Sequence, residues 1–175
     1  MSKLQSELDF RIMALTFKLR DFFFPRKKII EEIGIKPGFH VLDYGCGPGS
    51  YILPLAKLVG EKGKIYALDI HPLAIEKVKK IILKRKLKNV ELIKSDCKTG
   101  LPDGSIDLVL LYDTYHDLRE PDKVLKELHR ILKPEGILAF RDHHMREEEI
   151  ISQVSKNNLF KLLRKGKFNY IFVKT

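Results

Sequence analysis

From residue 39 onward the chain alternates short apolar, β-branched runs with longer amphipathic segments, and this alternation limits the fold more than any other feature. The runs FHVLDY (39–44), KIYALDI (64–70), VELIKSD (90–96), IDLVLLYD (106–113) and GILAFRDH (136–143) have strand length. Helical spacing occupies the intervals near 50–59, 72–86, 121–132 and 145–155. Strands that are apolar almost throughout must be covered on both faces, which predicts a parallel sheet between two helical layers. LFKLLRKG and KFNYIFVKT close the chain as two strand-like runs around a Gly-containing turn, an antiparallel hairpin for the sheet edge. The expected fold class is α/β: a doubly wound, mostly parallel, seven-stranded sheet with helices on both faces.

A length of 175 residues suits a single domain with one core. Within it, residues 1–33 read as an N-terminal helical lid or cap and 34–175 as the doubly wound unit. Leu4, Leu8, Ile12, Leu15 and Leu19 repeat at helical spacing over residues 4–20, with Phe10, Met13 and Phe17 beside them. Phe22, Phe23 and Phe24 follow; Pro25 then opens a short helix, RKKIIEEI, that Gly34 can cap. An apolar surface this broad packs on the core, closes over a substrate pocket, or meets an apolar substrate or membrane peripherally through residues 4–24. No apolar run approaches the ~20 residues of a membrane span. Charges at Lys3, Glu7, Asp9 and Arg11 interrupt any signal-peptide core, and two cysteines, Cys46 and Cys97, are too few for a disulfide framework. These features predict a cytoplasmic protein. The net charge of +10 raises the question of nucleic acid. The dense stretch Lys77–Lys88 nevertheless interleaves with Val78, Ile81, Ile82 and Leu83, as the solvated face of an amphipathic helix does; no recognition motif accompanies it or Lys161–Lys167. Nucleic acid is therefore not the favoured partner.

The sharpest chemical signal is VLDYGCGPGSY, residues 41–51. Gly45, Gly47 and Gly49 lie between a strand and a helix, where glycine permits a tight turn and close approach of a ligand to backbone N–H groups. Asp69 ends the next strand at the distance in sequence where a carboxylate accepts from ribose hydroxyls. The dinucleotide pattern G-x-G-x-x-G/A fails here: from Gly45 its last position is Ser50, and from Gly47 it is Ile52. Asp43 would repel a pyrophosphate and Pro48 removes an N–H donor. The same carboxylate suits a ligand carrying an ammonium and a sulfonium, so charge complementarity favours S-adenosylmethionine over NAD.

With ALDIHP, LIKSDCKTGLPDGSIDLVLLYDTYHDL and HRILKPEGILAFRD added, the chain resembles class I (Rossmann-like) S-adenosylmethionine-dependent methyltransferases over residues 33–143. It is most similar to the small-molecule group that includes the ubiquinone/menaquinone-biosynthesis C-methyltransferases. The resemblance implies a strand order of 3-2-1-4-5-7-6 and a cofactor over the carboxyl ends of the first three strands. It implies that Gly45, Gly47 and Gly49 line the methionine and ribose, with Tyr44 and Cys46 in the same loop. Asp43 would orient the amino-acid end and Asp69 the ribose. Ile70 and His71 would flank the adenine, Asp96 would accept from its amine beside the Cys97 N–H, and Tyr112 and Asp113 would lie near the methionyl group. The implied acceptor is a small apolar or amphipathic molecule. A nucleic-acid or translation-related substrate and a non-catalytic S-adenosylmethionine-binding partner are the alternatives. Where the family often carries a leucine-histidine pair, this chain has Asp113-Thr114-Tyr115-His116-Asp117.

Methyl transfer needs an in-line nucleophile, and a base only where the nucleophile must lose a proton. The loops after the fourth and fifth strands face the switch-point cleft and carry the ionisable groups. His116 and His143 are the candidate bases, with Asp113 as the third candidate catalytic group; His40 and His129 are assigned to structure or surface. Asp113, His116, Asp142, His143 and His144 are also chemically competent to ligate a cation, but their mutual spacing cannot be read from sequence and no metal site is assigned.

Overall fold

The computed structural model describes residues 6–23 and 26–175. The readings of Leu4, Phe24 and Pro25, and that of the Phe22 side chain, lie outside the described residues. Two helices lead: α1 (Glu7–Phe23) and α2 (Lys27–Glu31). The alternating body follows as β1 (His40–Tyr44), α3 (Ile52–Val59), β2 (Lys64–Asp69), α4 (Pro72–Arg85), β3 (Val90–Lys94) and β4 (Ile106–Tyr112). A short 3-10 turn at Tyr115–Asp117 leads to α5 (Pro121–Ile131), β5 (Leu132–Arg141) and α6 (Glu147–Ser155). The hairpin β6 (Phe160–Lys165) and β7 (Tyr170–Lys174) completes one seven-stranded sheet of order 3-2-1-4-5-7-6. The first five strands are parallel, and the last two pair antiparallel with each other and with β5, as the sequence pattern predicts.

Period-two alternation divides the sheet residues between two layers. Val41, Ile65, Ala67, Leu108, Leu110 and Ala139 pack with Ile30, Ile52, Leu55 and Val78 of α2, α3 and α4. Leu42, Leu68, Val109, Leu111, Leu138 and Phe140 pack with Val124, Leu125, Leu128, Ile150 and Val154 of α5 and α6. Each fully buried aliphatic side chain contributes about 1.5–3 kcal/mol relative to exposure, so these two layers hold the sheet.

One element begins earlier than the sequence suggests. The sequence pattern starts the fifth strand at residue 136. In the structure α5 runs directly into β5 at Leu132, which pairs with Ile106; a register shift follows and pairing resumes at Ile137 with Leu108. Gly136 makes the bulge feasible, since a Cβ there would stand 3.0 Å from the Ile106 carbonyl oxygen.

Helix α1 has a smaller core of its own. Phe10 and Ala14 are buried against Ala74 of α4, while Leu8, Ile12, Leu15, Leu19 and Phe23 point to solvent at 55% to 69% exposure. Among the described residues no helix is long and apolar enough to cross a membrane.

Candidate active site

The chain leaves β1 through a turn that only glycine can make. Gly45 has φ +76°, and a Cβ there would meet Thr114 Oγ1 at 2.3 Å. Its N–H and that of Cys46 both donate to the Leu68 carbonyl, at 2.8 and 2.9 Å, and lock the loop to β2. Gly47, at φ +50°, has nothing within 4 Å of its virtual Cβ, so it is the glycine that faces open space. Gly49 does something else: its virtual Cβ would press on Ile81 of α4 at 2.8 Å, which makes it a packing glycine between loop and helix.

Asp69 ends β2 with both carboxylate oxygens engaged. Oδ2 accepts from the Gly47 N–H and Oδ1 from the His71 N–H, each at 2.8 Å. These bonds fix the carboxylate's orientation and leave it further lone pairs for a ligand. His71 caps α4 by accepting from the Leu73 N–H at 3.2 Å. Its ring stacks on Phe10 of α1, centroids 4.4 Å apart and planes 13° from parallel.

Asp43 sits at the base of the site, 2% exposed, and its Oδ2 has no hydrogen-bond partner. Burial, with a lesser contribution from the Asp69 charge, pushes its carboxyl up to about 7. Burial likewise raises the Cys46 thiol, which keeps it inert. The Tyr44 hydroxyl donates to the Asp96 carbonyl at 2.8 Å and ties the end of β1 to the loop after β3.

These groups surround one cavity of about 750 Å³. Asp43, Tyr44, Gly45, Cys46, Gly47, Asp69, Ile70, His71, Asp96, Cys97 and Tyr112 all line it, as does Asp113. Gly49, His116 and His143 are not among its lining residues. Phe10, Met13 and Phe17 of α1 form an apolar wall, and Arg119 and Glu120 a polar one. Tyr51 and Thr114 also line the cavity without having been singled out from sequence. Tyr51 meets Tyr112 edge to face at 5.1 Å, and Thr114 fills the space Gly45 vacates; neither contact has a local signature. The Tyr112 hydroxyl is committed to Asn169, which also donates to Ile29 O and Glu32 and so ties the hairpin turn to α2.

Behind Asp113 the loops after β4 and β5 converge. Asp142, whose side chain is fully buried, accepts from the backbone N–H groups of His116 and His144 and holds His116 Nδ1 at 2.8 Å. Asp113 Oδ1 holds His143 Nδ1 at 2.8 Å and accepts its backbone N–H. The three imidazoles of His116, His143 and His144 stand 4.0 to 6.3 Å apart between centroids. His116 Nε2 lies 3.4 Å from Asp117, a cavity residue. The two histidines are thus joined to the cavity wall through Asp113 and Asp117.

The sequence profile described as a methyltransferase domain matches residues 35–174. Among curated proteins, a demethylmenaquinone methyltransferase of Geobacillus stearothermophilus is 33% identical over 113 residues, 64% of this chain and 48% of its own. A ubiquinone/menaquinone biosynthesis C-methyltransferase of Pseudoalteromonas translucida is 29% identical over 143 residues, 79% of this chain and 56% of its own. The chain spans about half the length of the curated relatives it matches. Among solved structures, an S-adenosylmethionine-dependent methyltransferase from Aquifex aeolicus superposes with a TM-score of 0.77 at 32% identity, covering 91% of this chain and 95% of that one. A glycine loop locked to β2, two acids at the strand ends and a sheet of this order have the same reading in sequence and in space: the chain belongs to the class I family of S-adenosylmethionine-dependent methyltransferases.

Proposed function

We propose that the protein transfers the methyl group of S-adenosylmethionine to a small apolar or amphipathic acceptor, akin to the quinone precursors for which its relatives are named. The observation that carries this reading is the Asp43 carboxylate. It is buried at the base of the cavity with an unpartnered oxygen, a placement that is costly without a ligand donor and suits an ammonium group. Asp43 would take the amino-acid end, with Gly45 and Gly47 offering close backbone approach. Asp69 would receive the ribose hydroxyls, Ile70 and His71 would flank the adenine, and Asp96 would accept from its amine. When bound, the cofactor supplies an electrophilic methyl group on a sulfonium that leaves as a neutral thioether. Tyr112 and Asp113 flank that end of the cavity. Asp113 takes a proton from an acceptor that must lose one and hands it along its bond to His143 Nδ1, and the 58%-exposed imidazole releases a proton to solvent from its other nitrogen. His116, its ring oriented by buried Asp142, places Nε2 3.4 Å from Asp117.

Residues 1–33 act as lid over the acceptor end, and the outward stripe of α1 supports peripheral contact with a membrane or a lipid-like acceptor. A cytoplasmic location suits the free thiols of Cys46 and Cys97. Calorimetry tests the assignment. The protein should bind S-adenosylhomocysteine and not NAD, and Asp69→Ala should weaken binding by ~1–3 kcal/mol because ribose donors lose a charged acceptor. Tight NAD binding, or an unchanged affinity in the variant, would overturn the assignment of this site.

A further inference from the structure

Two carboxylates and three imidazoles converge where the loops after β4 and β5 meet, more groups than the transfer of one proton requires. We propose that Asp113, Asp142 and His143 form a binding site for a first-row divalent cation at the edge of the cavity. One ligand atom from each of the three lies within 4.8 Å of the others. Two carboxylates with a neutral imidazole carry a charge of about −2, which a dication neutralises. The donor set of nitrogen and oxygen without sulfur is that of manganese, cobalt or nickel, and both free cysteines lie elsewhere along the cavity wall.

Asp113 Oδ1 and His143 Nδ1 are 2.8 Å apart, joined by a hydrogen bond that a cation held by both would replace. Three further features fit a built site. Asp142 is held in place by two backbone N–H groups and His116, the outer support that ligating carboxylates require. Asp113 adopts φ +49°, a left-handed conformation uncommon outside glycine, which lets its carboxylate reach His143 while its N–H donates to the Arg141 carbonyl at 2.7 Å. Exposure also rises from Asp142 at 0% through Asp113 at 19% to His143 at 58%, which opens a route from solvent to the ligand atoms. Because Asp113 also lines the cavity, a cation here would border the space proposed for the acceptor.

The test is a titration of Co²⁺ into the chelator-treated full-length protein, followed by calorimetry and visible absorption. We expect one ion per chain, with affinity at least ~10-fold weaker in His143→Ala and in Asp113→Asn. Asparagine tolerates the left-handed backbone at 113, so Asp113→Asn keeps the fold, and thermal melts verify it. His129→Ala, whose imidazole packs on Phe160 in the α5 layer, should bind as the wild type does. Absence of saturable binding, or equal affinity in both site variants, overturns the proposal. Binding is read without cofactor or acceptor, so a protein that takes S-adenosylhomocysteine but no Co²⁺ refutes this site and leaves the functional reading standing.

Discussion

The two walls of the cavity are held by different forces. On the β1–β3 side the backbone does the holding: Gly45 and Cys46 donate to Leu68, and Gly47 and His71 donate to Asp69. The rest of the wall is made of side chains from α1 and from the loop before α5, such as Phe17, Leu118 and Arg119. Helix α1 buries Phe10 and Ala14 and leaves five large apolar residues in solvent. A wall pinned by backbone hydrogen bonds presents one fixed shape, whereas a helix held by so small a core can shift or be lost at little cost to the sheet. The difference matches the division of labour proposed here, a constant cofactor on one side and an acceptor-specific lid on the other.

Removing the weak wall should have the largest effect. Deletion of residues 1–24 is expected to abolish turnover while the sheet stays folded and cofactor binding survives in part, reduced by loss of the Phe10–His71 stack. Circular dichroism and S-adenosylhomocysteine calorimetry on the truncated protein check this. If it unfolds or aggregates, α1 is core and the contrast between the walls collapses.

The loops behind Asp113 come next. His143→Ala or His116→Ala should slow a verified reaction by ~10²–10⁴-fold for whichever imidazole carries the proton, with cofactor affinity nearly unchanged. A fall in cofactor affinity that matches the fall in rate would put these loops on the cofactor wall instead.

A smaller effect sharpens the account of the pinned wall. Asp43 has an ordinary carboxyl value of 3.8 that rises to about 7 on folding, because burial and then the Asp69 charge disfavour ionisation. Below about pH 4 the group is protonated in folded and unfolded protein alike. Between there and about 7 only the folded protein retains the proton, so this group's contribution to stability falls as pH rises and levels off above 7. Asp43→Asn should remove that slope, narrowing the difference in Tm between pH 5 and pH 8, and should weaken S-adenosylhomocysteine binding. Wild-type affinity should itself grow as pH rises through about 7 and Asp43 ionises. A pH-independent affinity would mean that Asp43 does not meet the ammonium.

Legibility from sequence followed the range of the interactions. The alternation of strands and helices was readable because burial on two faces imposes a period on each segment separately. Asp43 and Asp69 were readable because the turn that carries each is local. The start of β5 was not, because Pro134 and Gly136 look like a turn and only pairing of Leu132 with Ile106 makes them a bulge. The three glycines looked alike in sequence, yet Gly45 is required by Thr114, 69 residues away, and Gly49 by Ile81 of α4, while Gly47 meets nothing within 4 Å; Gly45 and Gly47 line the cavity and Gly49 does not.

The sequence by itself determined the fold class, the strand–loop–helix cradle and its flanking acids, all consequences of local period and local turn chemistry. Tertiary structure alone decided that His116 and His143 stand behind the cavity wall, each paired with a different aspartate, and that Asp113 belongs to both the cavity and the histidine cluster. It also decided which side of α1 is buried, since a helix apolar over so wide an arc can bury any of several stripes. The physical reason is the same in each case. These outcomes depend on the relative placement of segments far apart in the chain, which packing of the two core layers sets and no local pattern encodes.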